Sequence, residues 1–155
     1  MNKYDKQAII EQTMYVLNNV GTTDTEHIVY ILYFAEQKHL VKYGSEMIPD
    51  RYANLKLRLY DRLKSHSIKI EANRKPDMGY ISIADKECLD ESIAENYRLT
   101  SDALELKMRS QERPLDITSS NPLSAVNIAI RGGISDAMLE YLRENLSTDI
   151  TLQPH

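Results

Sequence analysis

Four histidines, a single cysteine and several acidic pairs are the groups through which this 155-residue chain could carry catalysis or hold a metal ion. His27 and His39 share one helical segment, but twelve residues of helical rise set them about 18 Å apart, too far to grip one ion. His66 and His155 lie in other segments, and no HExxH spacing occurs. Each histidine is therefore read as structural. Cys88 sits among Asp85, Glu87, Asp90 and Glu91, whose charges oppose the thiolate that a nucleophile needs. Asp90 and Glu91 could act as acid and base only if they converged, and adjacent positions on a helix point in different directions. Neither a GxGxxG nor a P-loop pattern is present, so no dinucleotide or triphosphate cradle is expected. The chain is read as a non-enzyme with no catalytic residue, no metal ligand and no cofactor, working by binding another molecule.

The basic side chains suggest what that molecule could be. Lys56, Arg58, Arg62 and Lys64 fall on one helix face, and Arg74 and Lys75 follow in a turn, an arrangement that a recognition helix and wing would use on DNA. The whole chain opposes that reading, because it carries a net charge of −4 and a pI near 5.6, while phosphate neutralisation supplies most of the affinity for DNA. Charge is also segregated. Residues 38–64 hold seven basic and three acidic groups, whereas residues 85–155 hold seven basic and thirteen acidic. A protein partner is the leading expectation, nucleic acid the alternative, and a non-catalytic phage or mobile-element accessory role a third.

Length and composition bound the setting. The chain is long enough for one domain with a buried core, and its 42% hydrophobic and 27% charged residues match folded soluble proteins. A lone cysteine excludes an internal disulfide and suits a reducing cytoplasm. Residues 1–11 interleave charged with apolar side chains, unlike a signal peptide. The longest apolar run, Ile28 to Ala35, is far short of the ~20 residues of a membrane span.

The elements that would position these groups are mainly helical. Ile9, Ile10, Met14, Val16, Leu17 and Val20 keep the 3.6-residue period of a first helix, closed by Gly21. Thr23 and Glu26 have capping-box spacing before a second. Ile28, Ile31, Leu32, Ala35 and His39 form one face of it, and Val29, Tyr30, Tyr33 and Phe34 cover most of the rest, predicting a central helix surrounded by others and ending near Gly44. A third helix over 51–64, with Asp50 as its cap, presents Tyr52, Leu55, Leu59, Tyr60 and Leu63 opposite its basic face. Ile68 and Ile70, then Ile81 and Ile83 across a turn at 73–77, predict a small β-hairpin over about 67–83. Asp85 is read as the cap of a fourth helix with Leu89, Ile93 and Tyr97 inward, and Thr100 as the start of a fifth with Leu104 and Met108 inward. Asn121-Pro122 would open a sixth, ended by Gly132-Gly133, and Ser135 a seventh with Met138, Leu139, Leu142 and Leu146 inward. The expectation is a bundle of six or seven helices with one hairpin, a single domain over 1–147 and a flexible tail over 148–155.

Within this order lies a family-like pattern. Ile31-Leu32-Tyr33-Phe34-Ala35-Glu36 runs into His39-Leu40-Val41-Lys42-Tyr43-Gly44, followed by Asp50-Arg51-Tyr52-Ala53 and by Leu59-Tyr60-Asp61-Arg62-Leu63-Lys64. This resembles the Panacea domain, the SocA-like antitoxin family also met as phage-associated proteins, with its LLYFAD, HL..YG, DRY.A and LYD.LK segments in the same order. The acidic stretch from Asp85 to Tyr97 and the segment from Leu99 to Met108 extend the likeness over roughly residues 24–110. The chain departs from the family where Asn54 to Arg58 replaces a Gly-Pro-Val turn, and where Lys107 to Asp116 lacks a histidine and a tryptophan. The resemblance implies a helical antitoxin that neutralises a cognate protein toxin by direct binding, or an adaptor that presents it to a protease. The exposed parts of the matched segments, Lys38, Lys42, Arg51, Arg58 and Arg62 with the aromatic Tyr43 and Tyr52, are the expected partner-binding residues, since interfaces concentrate their energy in arginine and aromatic anchors.

Overall fold

The computed structural model describes residues 3–20, 25–47, 74–111 and 124–151. Six α-helices lie within them: α1 (Lys3–Val20), α2 (Thr25–Tyr43), α3 (Ile83–Asn96), α4 (Ser101–Ser110), α5 (Ala125–Arg131) and α6 (Asp136–Thr151), with a 3-10 turn at Met78–Tyr80 before α3. The fold is mainly α, and no strand occurs among the described residues. The expected basic helix over 51–64, and with it Arg51, Tyr52, Arg58 and Arg62, lies outside the described residues, as does the first arm of the expected hairpin.

The central position of α2 follows from its sequence. A helix with apolar side chains on all sides has no face to give to water and must be enclosed. Ile28, Ile31, Leu32 and Ala35 face a cluster with Met14, Val16, Leu17 and Leu89 from α1 and α3. Tyr30, Tyr33, Phe34 and Leu40 face a second cluster with Leu104, Ile128, Ala129 and Leu142 from α4, α5 and α6. Thus α2 separates two halves of the core and packs against all five other described helices.

The return arm of the expected hairpin is corrected by the structure. Asp77 accepts a hydrogen bond from the Gly79 N–H at 2.9 Å, an Asx turn that tightens the chain into 3-10 geometry instead of a strand. Ile81 then enters the core, whereas Ile83 is 91% exposed at the first position of α3. Two isoleucines two apart here mark a turn and a helix start rather than one face of a sheet. The cap of α3 is Ser82, not Asp85. Ser82 Oγ accepts from the Asp85 N–H and Asp85 Oδ2 accepts from the Ser82 N–H, each at 3.0 Å, a reciprocal capping box. Likewise Ser124, rather than Asn121, caps α5 by accepting from the Asn127 N–H at 3.2 Å.

Other stops and starts fall where the sequence places them. Thr100 caps α4, and Gly132 ends α5 with Gly133 at a left-handed φ of 81°. Ser135 receives the Met138 N–H at the head of α6. That helix continues to Thr151, four residues into the segment read as a tail. Gly44 closes α2 at φ 62°, its N–H bonded to Leu40 O at 2.9 Å, the left-handed termination that glycine adopts without steric cost.

Candidate functional site

Helix α3 approaches α2 closely because its facing residues are small or polar. Cys88, Ser92 and Asn96 are buried along with Leu89. Ser92 Oγ donates to Ile31 O at 2.6 Å, and Asn96 Nδ2 donates to Ser92 Oγ at 3.1 Å. His27, at the opposite end of α2 from His39, lies 3.2 Å from Asn96 O. Tyr97, expected inward, is instead largely exposed, and Asn96 occupies the inward position one residue earlier. The Cys88 thiol is fully buried, and desolvation pushes its pKa up to about 11, so its own site holds it protonated.

The two histidines of α2 serve separate ends. His39 is buried, with Nδ1 2.6 Å from Ser45 O and Nε2 3.2 Å from Asp85 Oδ1. Burial works against its charge, but the Asp85 carboxylate and the Ser45 carbonyl outweigh it and raise its pKa. The same contact and the Ser82 N–H hold the Asp85 carboxyl below its ordinary value against its own burial. Both ring nitrogens face acceptors, so His39 in its protonated form donates to each and fastens the end of α2 to the start of α3. Among the described residues, no three His, Cys, Asp or Glu side chains gather as a metal ion would require.

Of the residues expected to bind a partner, Lys38, Lys42 and Tyr43 are described, and the structure brings them together on one edge of α2. All three reach across to α3. Lys38 Nζ lies 2.8 Å from Glu95 Oε1, Lys42 pairs with Glu91 and with Glu87, and the Tyr43 hydroxyl donates to Glu87. These acidic side chains remain at the surface and form an ion-paired seam with α2. Exposed pairs of this kind contribute little to stability, about 0–1 kcal/mol each. Arg74, expected at the tip of a wing, is directed inward: both of its terminal nitrogens bind the buried Glu11 carboxylate at 2.6 and 2.7 Å.

Beside the seam opens a groove of about 260 Å³ between α2 and the ends of α3, α4 and α5. Lys38 and Lys42 line it with three residues that the sequence did not single out, Lys107, Gln37 and Gln111. The Lys107 ammonium stands 4.4 Å above the centre of the Phe34 ring and donates to Asn96 Oδ1 at 2.5 Å. Gln37 and Gln111 bind each other through both amide groups at 3.0 and 3.1 Å, and Gln37 also donates to Ile128 O. Gly132 lets the end of α5 come close, since a Cβ there would lie 2.7 Å from Gln37 Cγ. One signal for Lys107 was in the sequence: three residues after the inward Leu104, it borders the buried stripe of its helix.

No protein-family model, no curated protein and no solved structure matches this chain, so the site rests on its own residues and geometry.

Proposed function

We propose that this chain is a protein-binding domain that neutralises a cognate toxin by direct contact, or delivers it as an adaptor to a protease, in the manner of the Panacea-like antitoxins whose motif order it resembles. One observation carries the reading: α2 is enclosed along most of its length and comes to the surface at Lys38, Val41, Lys42 and Tyr43, beside an open groove. That stretch is the HL..YG part of the family-like pattern. The family resemblance is carried by the quoted motifs alone. Because the exposed seam pairs add little to the fold, their side chains can be given to a partner at small cost.

The test is genetic and physical. The product of the adjacent gene, expressed alone, should arrest growth, and co-expression of this chain should restore it and yield a co-purifying complex. Lys42→Ala with Tyr43→Ala should weaken rescue while leaving the unfolding free energy within about 1 kcal/mol of the parent. Absence of both rescue and co-purification would remove the reading. The DNA-binding alternative loses support from Arg74, which is committed to Glu11, and from the 78–83 segment, which forms no wing strand.

A further inference from the structure

The groove beside α2 carries a local excess of positive charge in a protein whose net charge is −4. Lys38, Lys42 and Lys107 line it with one carboxylate, Glu95; Lys42 is paired with Glu87 and Glu91, so Lys38 and Lys107 share Glu95 between them. Glu95 serves the two unequally, at 2.8 Å from Lys38 and 3.8 Å from Lys107. Lys107 therefore relies on a neutral amide oxygen and an aromatic face, both weaker partners for an ammonium than a directly bonded carboxylate. Burial lowers its pKa below the ordinary lysine value, a sign that its charge is under-compensated. One helical turn on from Lys107 stands the Gln111 amide, which donates one N–H to Gln37 Oε1 and has no partner for its second among the described residues. The floor is apolar, built from Phe34 and Val41. At about 260 Å³ the space falls just below the ~300 Å³ where pockets for whole ligands begin. It fits a functional group on a short stem.

We propose that this groove recognises a carboxylate on a short apolar stem, held by Lys107 and Lys38 with a hydrogen bond from Gln111 and its stem against Phe34 and Val41. Two sources share that chemistry, an acidic side chain of a protein partner and a free short-chain carboxylic acid. Only the first rests on the toxin-binding reading.

The experiment titrates the full-length chain, labelled with ¹⁵N, with butanoate and separately with an N-acetylated, C-amidated Ala-Glu-Ala peptide, using butanamide as the uncharged control. The expected result is a saturable shift of the Gln37 and Gln111 side-chain amide signals with a Kd on the order of millimolar, as suits so few contacting atoms. Butanamide should produce none, and raised salt should weaken the effect. Lys107→Met should weaken binding at least tenfold, and Lys86→Met, on the far side of the seam and paired with Asp90, should leave it unchanged. Glu95→Gln should tighten binding several-fold, a gain that misfolding cannot imitate. Saturation by the peptide alone supports the partner source, saturation by butanoate alone supports the small acid, and either upholds the groove even if toxin rescue fails. No saturation by either probe, or binding indifferent to both Lys107→Met and Glu95→Gln, overturns it.

Discussion

Glu11 holds its carboxylate against the Arg74 guanidinium, the Asp77 N–H and the Gln7 amide at a site almost closed to water, and the Arg74 contact leads in lowering its pKa to about 2. Burial alone would have raised it, so the hydrogen bonds win over desolvation. An unfolded Glu11 takes up its proton near pH 4.5, whereas the folded one resists until about 2. Its stabilising contribution is therefore present above pH 4.5 and disappears as pH falls toward 2. Glu11→Gln should cost about 2 kcal/mol at neutral pH and flatten the acid limb of a denaturation-midpoint profile. An unchanged acid slope would exclude this role. His39 carries the opposite sign. Asp85 and the Ser45 carbonyl raise its pKa over the effect of burial, with Glu36 adding to the attraction and the Tyr43 ring packed alongside. Its contribution is complete below about pH 6.5 and fades as pH rises through the raised value. The stability gap between the parent and His39→Asn should accordingly narrow from pH 6 to pH 9, and a gap that widens would contradict the pairing. Neither pair was legible in the sequence. Glu11 and Arg74 stand 63 residues apart, His39 and Asp85 46, and only the packed fold brings such residues into contact.

The ends of the elements show how far local sequence reaches. Thr100, Gly132-Gly133 and Ser135 mark boundaries through hydrogen bonds to residues within four positions, so the chain itself carries the signal. The return arm of the hairpin failed because two alternating isoleucines are too short a pattern to separate a strand from a turn entering a helix. The Ser82–Asp85 box, also local, was the stronger signal there. The α2–α3 seam was invisible for another reason: the spacing of Lys38 and Lys42 shows that they share an edge, but the register of two helices determines which carboxylates they meet. Gly44 combines both kinds of information. Its left-handed φ is a local requirement, and its lack of a side chain is a tertiary one, since a Cβ would stand 2.5 Å from Tyr141 Cδ1 and 2.7 Å from Met138 Sδ. Asn145 Nδ2 also binds Gly44 O at 2.8 Å, fastening α6 to this turn. Gly44→Ala should lose about 2 kcal/mol, roughly half from backbone strain. Adding Tyr141→Ala, at a half-exposed site, should recover the Tyr141 share of the steric cost and leave the Met138 contact and the strain. Full recovery in that double variant would show that the backbone conformation costs nothing.

At the scale of the whole molecule, the enclosed α2 was the most legible feature, because a helix apolar on every side has one stable environment. Its position has a consequence for cooperativity. The two core clusters share no described helix except α2, with Leu89 buried on one side and Leu142 on the other. Loss of either cluster would bare half of the circumference of α2 to water, at about 25 cal/mol per Å² of apolar surface. The halves should therefore unfold together. Leu89→Ala and Leu142→Ala should each cost about 2–4 kcal/mol, and each should lower the midpoint of one transition common to both halves. The readout is urea unfolding followed by far-ultraviolet circular dichroism and by exchange of backbone amides in α1 and in α6. Coincident curves in both variants are expected. If Leu142→Ala released α6 at low denaturant while α1 kept its protection, α2 would be only the wall between two independent units, and a partner seated at Lys38 to Tyr43 would stabilise one of them without the other.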